Sequence, residues 1–227
     1  MIIDVLLSSC ARPDVLDVSV KSFLDKVKTH KHSFRWVILE DYVEDSDRRE
    51  QGKLWIDKNK NLFDEIHIAD KKIGMGWHWQ GIVKFCKSAY HIHMEDDQEF
   101  IRDINIDPII DTLIKNQNIL EIMLRRIPDQ DKDKNMQHYK SPPEVLINNL
   151  PLTKTYFMSD SIGFYNTNLV RQVIDKAGWQ SQLHECGVLT PISNKLGFEK
   201  YTLDHNRAIH YNHVGGKLGY KKGAWKL

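Results

Sequence analysis

Cysteine is scarce in this chain and poorly placed for chemistry. Cys10, Cys86 and Cys186 are the only three, with no Cys-x-x-Cys spacing, which argues against a disulfide framework and a zinc site and suits a reducing cytosol. Net charge is also nearly absent. The 32 Lys and Arg against 31 Asp and Glu leave +1, which excludes a global basic field for nucleic acid while permitting a local patch. No apolar run approaches the roughly 20 residues that a bilayer span requires. The start, Met1-Ile2-Ile3-Asp4, carries no basic n-region and no cleavage site, so it reads as a first strand and not a secretory signal. Neither an internal repeat nor a low-complexity tract is present.

What remains is an ordinary globular composition. With 227 residues, 41% of them hydrophobic and 28% charged, the chain is long enough for a single sizeable core, and length favours one domain over 1–227. Ile2 to Ser9 is apolar and β-branched, broken at Ser8-Ser9-Cys10-Ala11-Arg12-Pro13, and followed by a helical pattern through Val15, Val18, Phe23 and Val27. Phe34 to Leu39 is a second strand ending in Glu40-Asp41, and Ile66 to Ile68 a third. Gly74-Met75-Gly76 opens a helix through Trp77 and Phe85, and Tyr90 to Met94 is the fourth strand. This alternation predicts an open, mixed and mostly parallel α/β sheet flanked by helices, with ligands at its carboxyl edge, and puts Ser9, Asp41 and Asp97 near one rim. Later, Ile106 to Asn116 reads as a helix, Ile119 to Ile127 as a strand, and Pro128 to Pro143 as a polar loop of functional-lid length.

The densest chemistry lies in His91-Ile92-His93-Met94-Glu95-Asp96-Asp97. Three adjacent carboxylates repel one another and call for a cation or solvent, and a strand end of this kind suits Mg²⁺ or Mn²⁺, hard ions that share oxygen ligands with phosphates. A solvated acidic turn is the alternative on the tripeptide alone.

Arg12-Pro13 after strand one, an acid after strand two, the glycine-opened helix and then Met94-Glu95-Asp96-Asp97 together resemble the family 2-like glycosyltransferases of the GT-A fold, a Rossmann-related architecture. The resemblance returns in Ser161 to Asn166 and in His213-Val214-Gly215-Gly216. It implies a nucleotide-sugar-binding half over 1–100 and an acceptor-binding half over 101–227. It also implies an enzyme, a hexosyl- or pentosyltransferase acting from a nucleoside diphosphate sugar, UDP-linked by preference. Asp97, Glu95 through water, and His213 would then hold Mn²⁺ or Mg²⁺, with His205 and His210 as competing histidines. Ser9, Arg12, Asp41, Trp77, Gln80, Asp96, Lys217 and Lys221 would contact the donor, Asp41 being equally a helix-capping acid. Glu185, with Asp160 second, is the candidate base for an inverting transfer. Trp77, Trp79 and Trp179 suit stacking on a sugar or base, although tryptophans at helical spacing more often form core.

Two departures accompany the resemblance: Trp79-Gln80 stands where many relatives carry Arg-Asn, and Glu40-Asp41 where a pair of aspartates is common. The acceptor expected is a glycan, a protein side chain, or a hydroxymethylated DNA base of the kind phage enzymes modify. The DNA case would use Arg125, Arg126, Lys132, Lys134 and Lys140 as a basic face. The expected location is cytoplasmic, in the host cytoplasm for a viral protein, without membrane insertion. A nucleotidyltransferase is the enzymatic rival, weakened by a first loop that lacks glycine. An inactive nucleotide-sugar-binding module is the rival from another class.

Overall fold

The computed structural model describes residues 1–74, 76–125, 143–158, 162–178, 185–204 and 208–214, without the side chains of 185 and 186. β1 (Ile2–Ser9) is a nearly continuous apolar run, as a strand covered by helices on both faces requires. Pro13 opens α1 (Pro13–Lys26), where its missing N–H removes no helical bond, and Val15, Leu16, Val20 and Phe23 form the buried stripe. A two-residue β2 (Val27–Lys28) precedes β3 (Ser33–Glu40). Asp45 caps α2 (Ser46–Asn59) by accepting the Asp47 and Arg48 amides. There follow β4 (Glu65–Ile68), α3 (Gly76–Phe85), β5 (Tyr90–Glu95), β6 (Gln98–Phe100), β7 (Ile104–Asn105) and α4 (Asp107–Lys115).

β8 spans Ile119–Met123, shorter than the strand expected over Ile119 to Ile127. Beyond Met123 the amides leave the ladder, Leu124 N–H donating to the Ile162 carbonyl and Arg125 N–H to the His210 ring. The second half adds β9 (Glu144–Ile147), β10 (Leu150–Thr155), β11 (Gly163–Asn166), α5 (Thr167–Ala177), a π-helical turn over Glu185–Leu189, α6 (Thr190–Lys195), β12 (Glu199–Leu203) and β13 (Tyr211–His213).

Nine strands form one sheet in the order β4-β3-β1-β5-β11-β8-β12-β10-β9. The expected α/β architecture is therefore present, a large mixed sheet between helices. Its first half is wholly parallel, from β4 through β5. β11 then enters antiparallel between β5 and β8. One apolar cluster packs α1 and α4 on one face, including Phe23, Ile92 and Leu113. A second packs α3 and α5 on the other, including Leu39, Trp79 and Val170. Trp79 is fully buried there, so it belongs to the core.

Gly81 of α3 lies against the Leu39 side chain, and any Cβ at that position would overlap it. Gly81→Ala should therefore cost about 1–3 kcal/mol through overpacking. A urea denaturation midpoint equal to that of the unmodified chain would contradict this.

Candidate active site

The chain runs outward from β1 to β3 and β4, then returns to β5 on the other side of β1. The carboxyl ends of β1 and β5 therefore flank a switch point, where open α/β sheets bind ligands. Register aligns Ser8 with Glu95 and Ser9 with Glu40. Asp96 and Asp97 form the tight turn between β5 and β6. Ser19 of α1, completely buried, pins this turn: its hydroxyl donates to the Gln98 carbonyl at 2.6 Å and accepts the Gln98 amide at 2.8 Å.

Asp96 faces the loop after β1. Its Oδ2 accepts from the Cys10 amide at 3.0 Å, Arg12 Nε at 3.2 Å and the Ser9 hydroxyl at 3.3 Å, and Arg12 Nη2 binds its Oδ1. Asp97 Oδ2 takes Arg12 Nη1 at 2.8 Å and stands 3.1 Å from His213 Nε2. Arg12 thus spans both acids. Burial opposes the charge on Asp97, but His213 and Arg12 outweigh it and hold the carboxyl below its usual range. On Asp96 the balance falls the other way: burial, with the charge of Asp97 added to it, outweighs Arg12 and raises the carboxyl. Burial likewise disfavours the Arg12 charge, yet the two acids keep its guanidinium firmly protonated.

His213 arrives through β13, which pairs antiparallel with β6 and sets His213 opposite Gln98. The Val214 amide then closes on the Asp97 carbonyl at 2.8 Å. Of the rival histidines, His205 lies outside the described residues. His210 is committed to structure: its Nδ1 accepts the Arg125 amide at 3.1 Å, and burial first, then Arg102 and Arg125, push the ring down to about 4.

A second cluster sits at the end of β3. Glu40 Oε1 accepts the Ala11 amide at 2.5 Å, while its Oε2 is buried without a hydrogen-bond partner. Ala11 adopts φ +54°, a left-handed conformation that is costly for a residue with a Cβ and is found at functional loops. Gly52 of α2 permits the close approach, since a Cβ there would meet Ala11 Cα at 3.1 Å and Glu40 Oε1 at 3.3 Å. Arg48 braces the same loop by donating to the Cys10 carbonyl at 3.0 Å. Burial pushes the Glu40 carboxyl up to about 7. A cavity of about 280 Å³ opens here, lined by Glu40, Asp41, Tyr42, Arg49, Lys53 and Ile68 among others.

The structure brings Ser9, Arg12, Asp96, Asp97 and His213 together at one point. Asp41 stands beside them with both oxygens engaged, accepting the Tyr42 and Ile73 amides on Oδ1 and the Gly74 amide on Oδ2. It therefore ties β3 to the loop before α3. Glu95 is half-buried at the foot of the turn, its amide donating to Gln98 Oε1 at 2.8 Å. Gln80 accepts from Lys84 on α3, and Trp77 packs edge-on against Phe85. Asp160, Trp179, Lys217 and Lys221 lie outside the described residues, as do Arg126, Lys132, Lys134, Lys140 and the expected loop from 128 to 142. Glu185 begins the π-helical turn with its side chain outside them.

No protein-family model matches the chain, and no curated protein matches it in sequence. Solved structures do match in three dimensions. TarS of S. aureus, residues 1–349, superposes with a TM-score of 0.60 at 12% identity, over 94% of this chain and 60% of that one. GalNAc-T7 with UDP, GalNAc and Mn²⁺ gives 0.64 at 11% identity, over 93% and 43%. The mannosyltransferase PcManGT from Pyrobaculum calidifontis, with GDP-Man and Mn²⁺, gives 0.61 at 8% identity, over 96% and 58%. The chain has the GT-A fold. It spans about 60% or less of the length of these GT-A neighbours.

Among the described residues no three His, Cys, Asp or Glu side chains converge as a metal cage. The pair at the GT-A switch point nevertheless fits a divalent cation. Asp97 Oδ1 is buried without a hydrogen-bond partner, and the neighbouring imidazole presents Nε2 beside Oδ2. An oxygen and nitrogen pair of this kind leaves further positions for water and phosphate.

Sequence reasoning missed the separate role of Glu40 and the buried contact of His78 with His93, whose rings lie 3.4 Å apart and tilted by 44°. Strand alternation was the available signal for Glu40, because it turns the last residue of β3 away from the face Asp41 serves. Nothing in the sequence announced the histidine contact.

Proposed function

We propose that this chain transfers a sugar from a nucleoside diphosphate donor to an acceptor, with a divalent cation at Asp97 and His213 and Glu95 reaching it through water. The observation that carries the reading is their meeting at 3.1 Å across the switch point, from opposite ends of the sequence. UDP accompanies one of the GT-A neighbours and GDP-Man another. When bound, the cation supplies Lewis-acid stabilisation of the departing diphosphate.

The chain's own residues would do the rest. Glu40, which lines the cavity beyond β3, is the proposed acceptor for an N–H of the nucleobase, and Asp96 the proposed contact to the ribose or sugar. Arg12 sets positive charge where the leaving diphosphate develops negative charge. Glu185, with Asp160 second, is proposed as the base, and Trp77, Gln80, Lys217 and Lys221 as further donor contacts. The acceptor classes remain a glycan, a protein side chain or a hydroxymethylated DNA base. A nucleotidyltransferase fits less well, because the Cys10 and Ala11 amides that would cradle a triphosphate are already given to Asp96 and Glu40.

Thermal shift with UDP- and GDP-sugars tests the donor site. One donor should raise the melting temperature by several degrees only when Mn²⁺ is present, as ligand linkage requires. If no nucleotide sugar stabilises the chain under either condition, the reading is wrong. Donor consumption with acceptor screening then separates a transferase from an inactive binding module.

A further inference from the structure

The acidic turn already holds a cation. The Arg12 guanidinium lies over Asp96 and Asp97 with side-chain exposures of 12%, 2% and 5%. Adjacent carboxylates this deeply buried are tolerated only with a counter-charge, since each buried ion carries a desolvation cost of several kcal/mol. Arg12 provides that charge through a planar fork, with Nε and Nη2 on Asp96 and Nη1 on Asp97. Asp97 Oδ2 is therefore shared between Arg12 and His213. A divalent cation held by Asp97 and His213 would meet a like charge on the same carboxylate.

We propose that Arg12 is a built-in competitor of the divalent cation for Asp97, and that this competition couples cation binding to nucleoside diphosphate binding. This rests on reading the switch point as a donor site. A bare cation at Asp97 meets the Arg12 charge on the same carboxylate, weakens the Nη1 contact and offers Arg12 nothing in return. With a diphosphate present, the freed Nη1 arm gains a phosphate oxygen while Nε and Nη2 stay on Asp96. The guanidinium then pivots about Asp96 without leaving the turn. Each ligand consequently strengthens the other, and by linkage the factor is the same in both directions. Arg12 touches the diphosphate directly in this account, and its signature is a change in binding linkage.

The test is titration of the whole chain with MnCl2, reading free Mn²⁺ by electron paramagnetic resonance, alone and with saturating UDP or GDP. In the unmodified protein one of these nucleotides should tighten Mn²⁺ binding by at least about tenfold, within the usual range of coupling. In Arg12→Gln, Mn²⁺ alone should bind about tenfold tighter, and the nucleotide enhancement should shrink correspondingly. If Arg12→Gln does not fold, Arg12→Lys serves, because an ammonium cannot span both carboxylates. Mn²⁺ alone must then bind several-fold tighter than in the unmodified protein.

Unchanged or weaker Mn²⁺ affinity in a folded Arg12 variant, with the nucleotide enhancement intact, overturns the competition and leaves the donor site standing. Failure of the unmodified protein to bind Mn²⁺ together with either nucleotide overturns both.

Discussion

Asp97→Asn should lower transfer by at least about a hundredfold while the protein stays folded. The carboxylate has one oxygen shared by Arg12 and His213 and another buried without a partner. Asparagine would replace one of these oxygens with an NH2 that cannot bind a cation and opposes Arg12 or His213. Loss of the preorganised charge at a leaving diphosphate is worth roughly 10²–10³ in rate. The cost in stability is about 2 kcal/mol, the usual scale for weakening hydrogen bonds to a charged group. Turnover and urea denaturation on the same sample check both halves. Near-normal turnover would mean that Asp97 is only a structural counter-ion to Arg12.

Glu40→Gln should stabilise the protein, and only at higher pH. The carboxyl rises from 4.5 to about 7, chiefly through burial, so between those values the folded state binds more protons than the unfolded one. Stability from this group is therefore full below pH 4.5, falls as pH rises through the window, and is flat above about 7. The loss reaches about 3 kcal/mol, since each pH unit separating the folded and unfolded values is worth about 1.4 kcal/mol. Glutamine keeps an oxygen for the Ala11 amide and carries no charge to bury. Its midpoint in urea should exceed that of the unmodified chain at about pH 8 and match it near pH 4.5. An equal difference at both values would show that Glu40 does not titrate in this window. Glu40 also lines the cavity, and the change replaces one carboxylate oxygen with an NH2, so nucleotide binding should weaken by about tenfold, as for a pocket left with a mismatched polar group. Greater stability with poorer binding is the trade expected of a destabilised functional carboxyl.

The site was legible in part for a simple reason. The ends of β1 and β5 are close in any open parallel sheet with a central first strand, so Ser9, Arg12 and the Asp96-Asp97 turn could be grouped from their order alone. His213 was legible by position near two glycines, but its separation from His210 was not. That distinction depends on β13 pairing with β6, a contact between distant segments. Glu40 and Asp41 are neighbours of the same charge, and local pattern treats them alike. The pleat sends them to opposite sides, one under the strained Ala11 loop with a free oxygen, the other into the amides of residues 73 and 74. Lys200 is a further case: a strand lysine reads as exposed, yet it is 1% exposed and donates to Ser193, Asn194 and the Phe198 carbonyl.

Local pattern along the chain specifies the alternation of strands and helices, the apolar runs that bury on both faces, and an acidic turn in need of a cation. These follow from periodicity and charge repulsion, which act between residues close along the chain. Long-range packing alone makes Arg12 the turn's resident cation, sets His213 against Asp97, and leaves Glu40 with the spare oxygen. Those outcomes depend on strand order, on the antiparallel entry of β11 and on the β6 and β13 pairing. They are set by packing between distant segments, which no local pattern records.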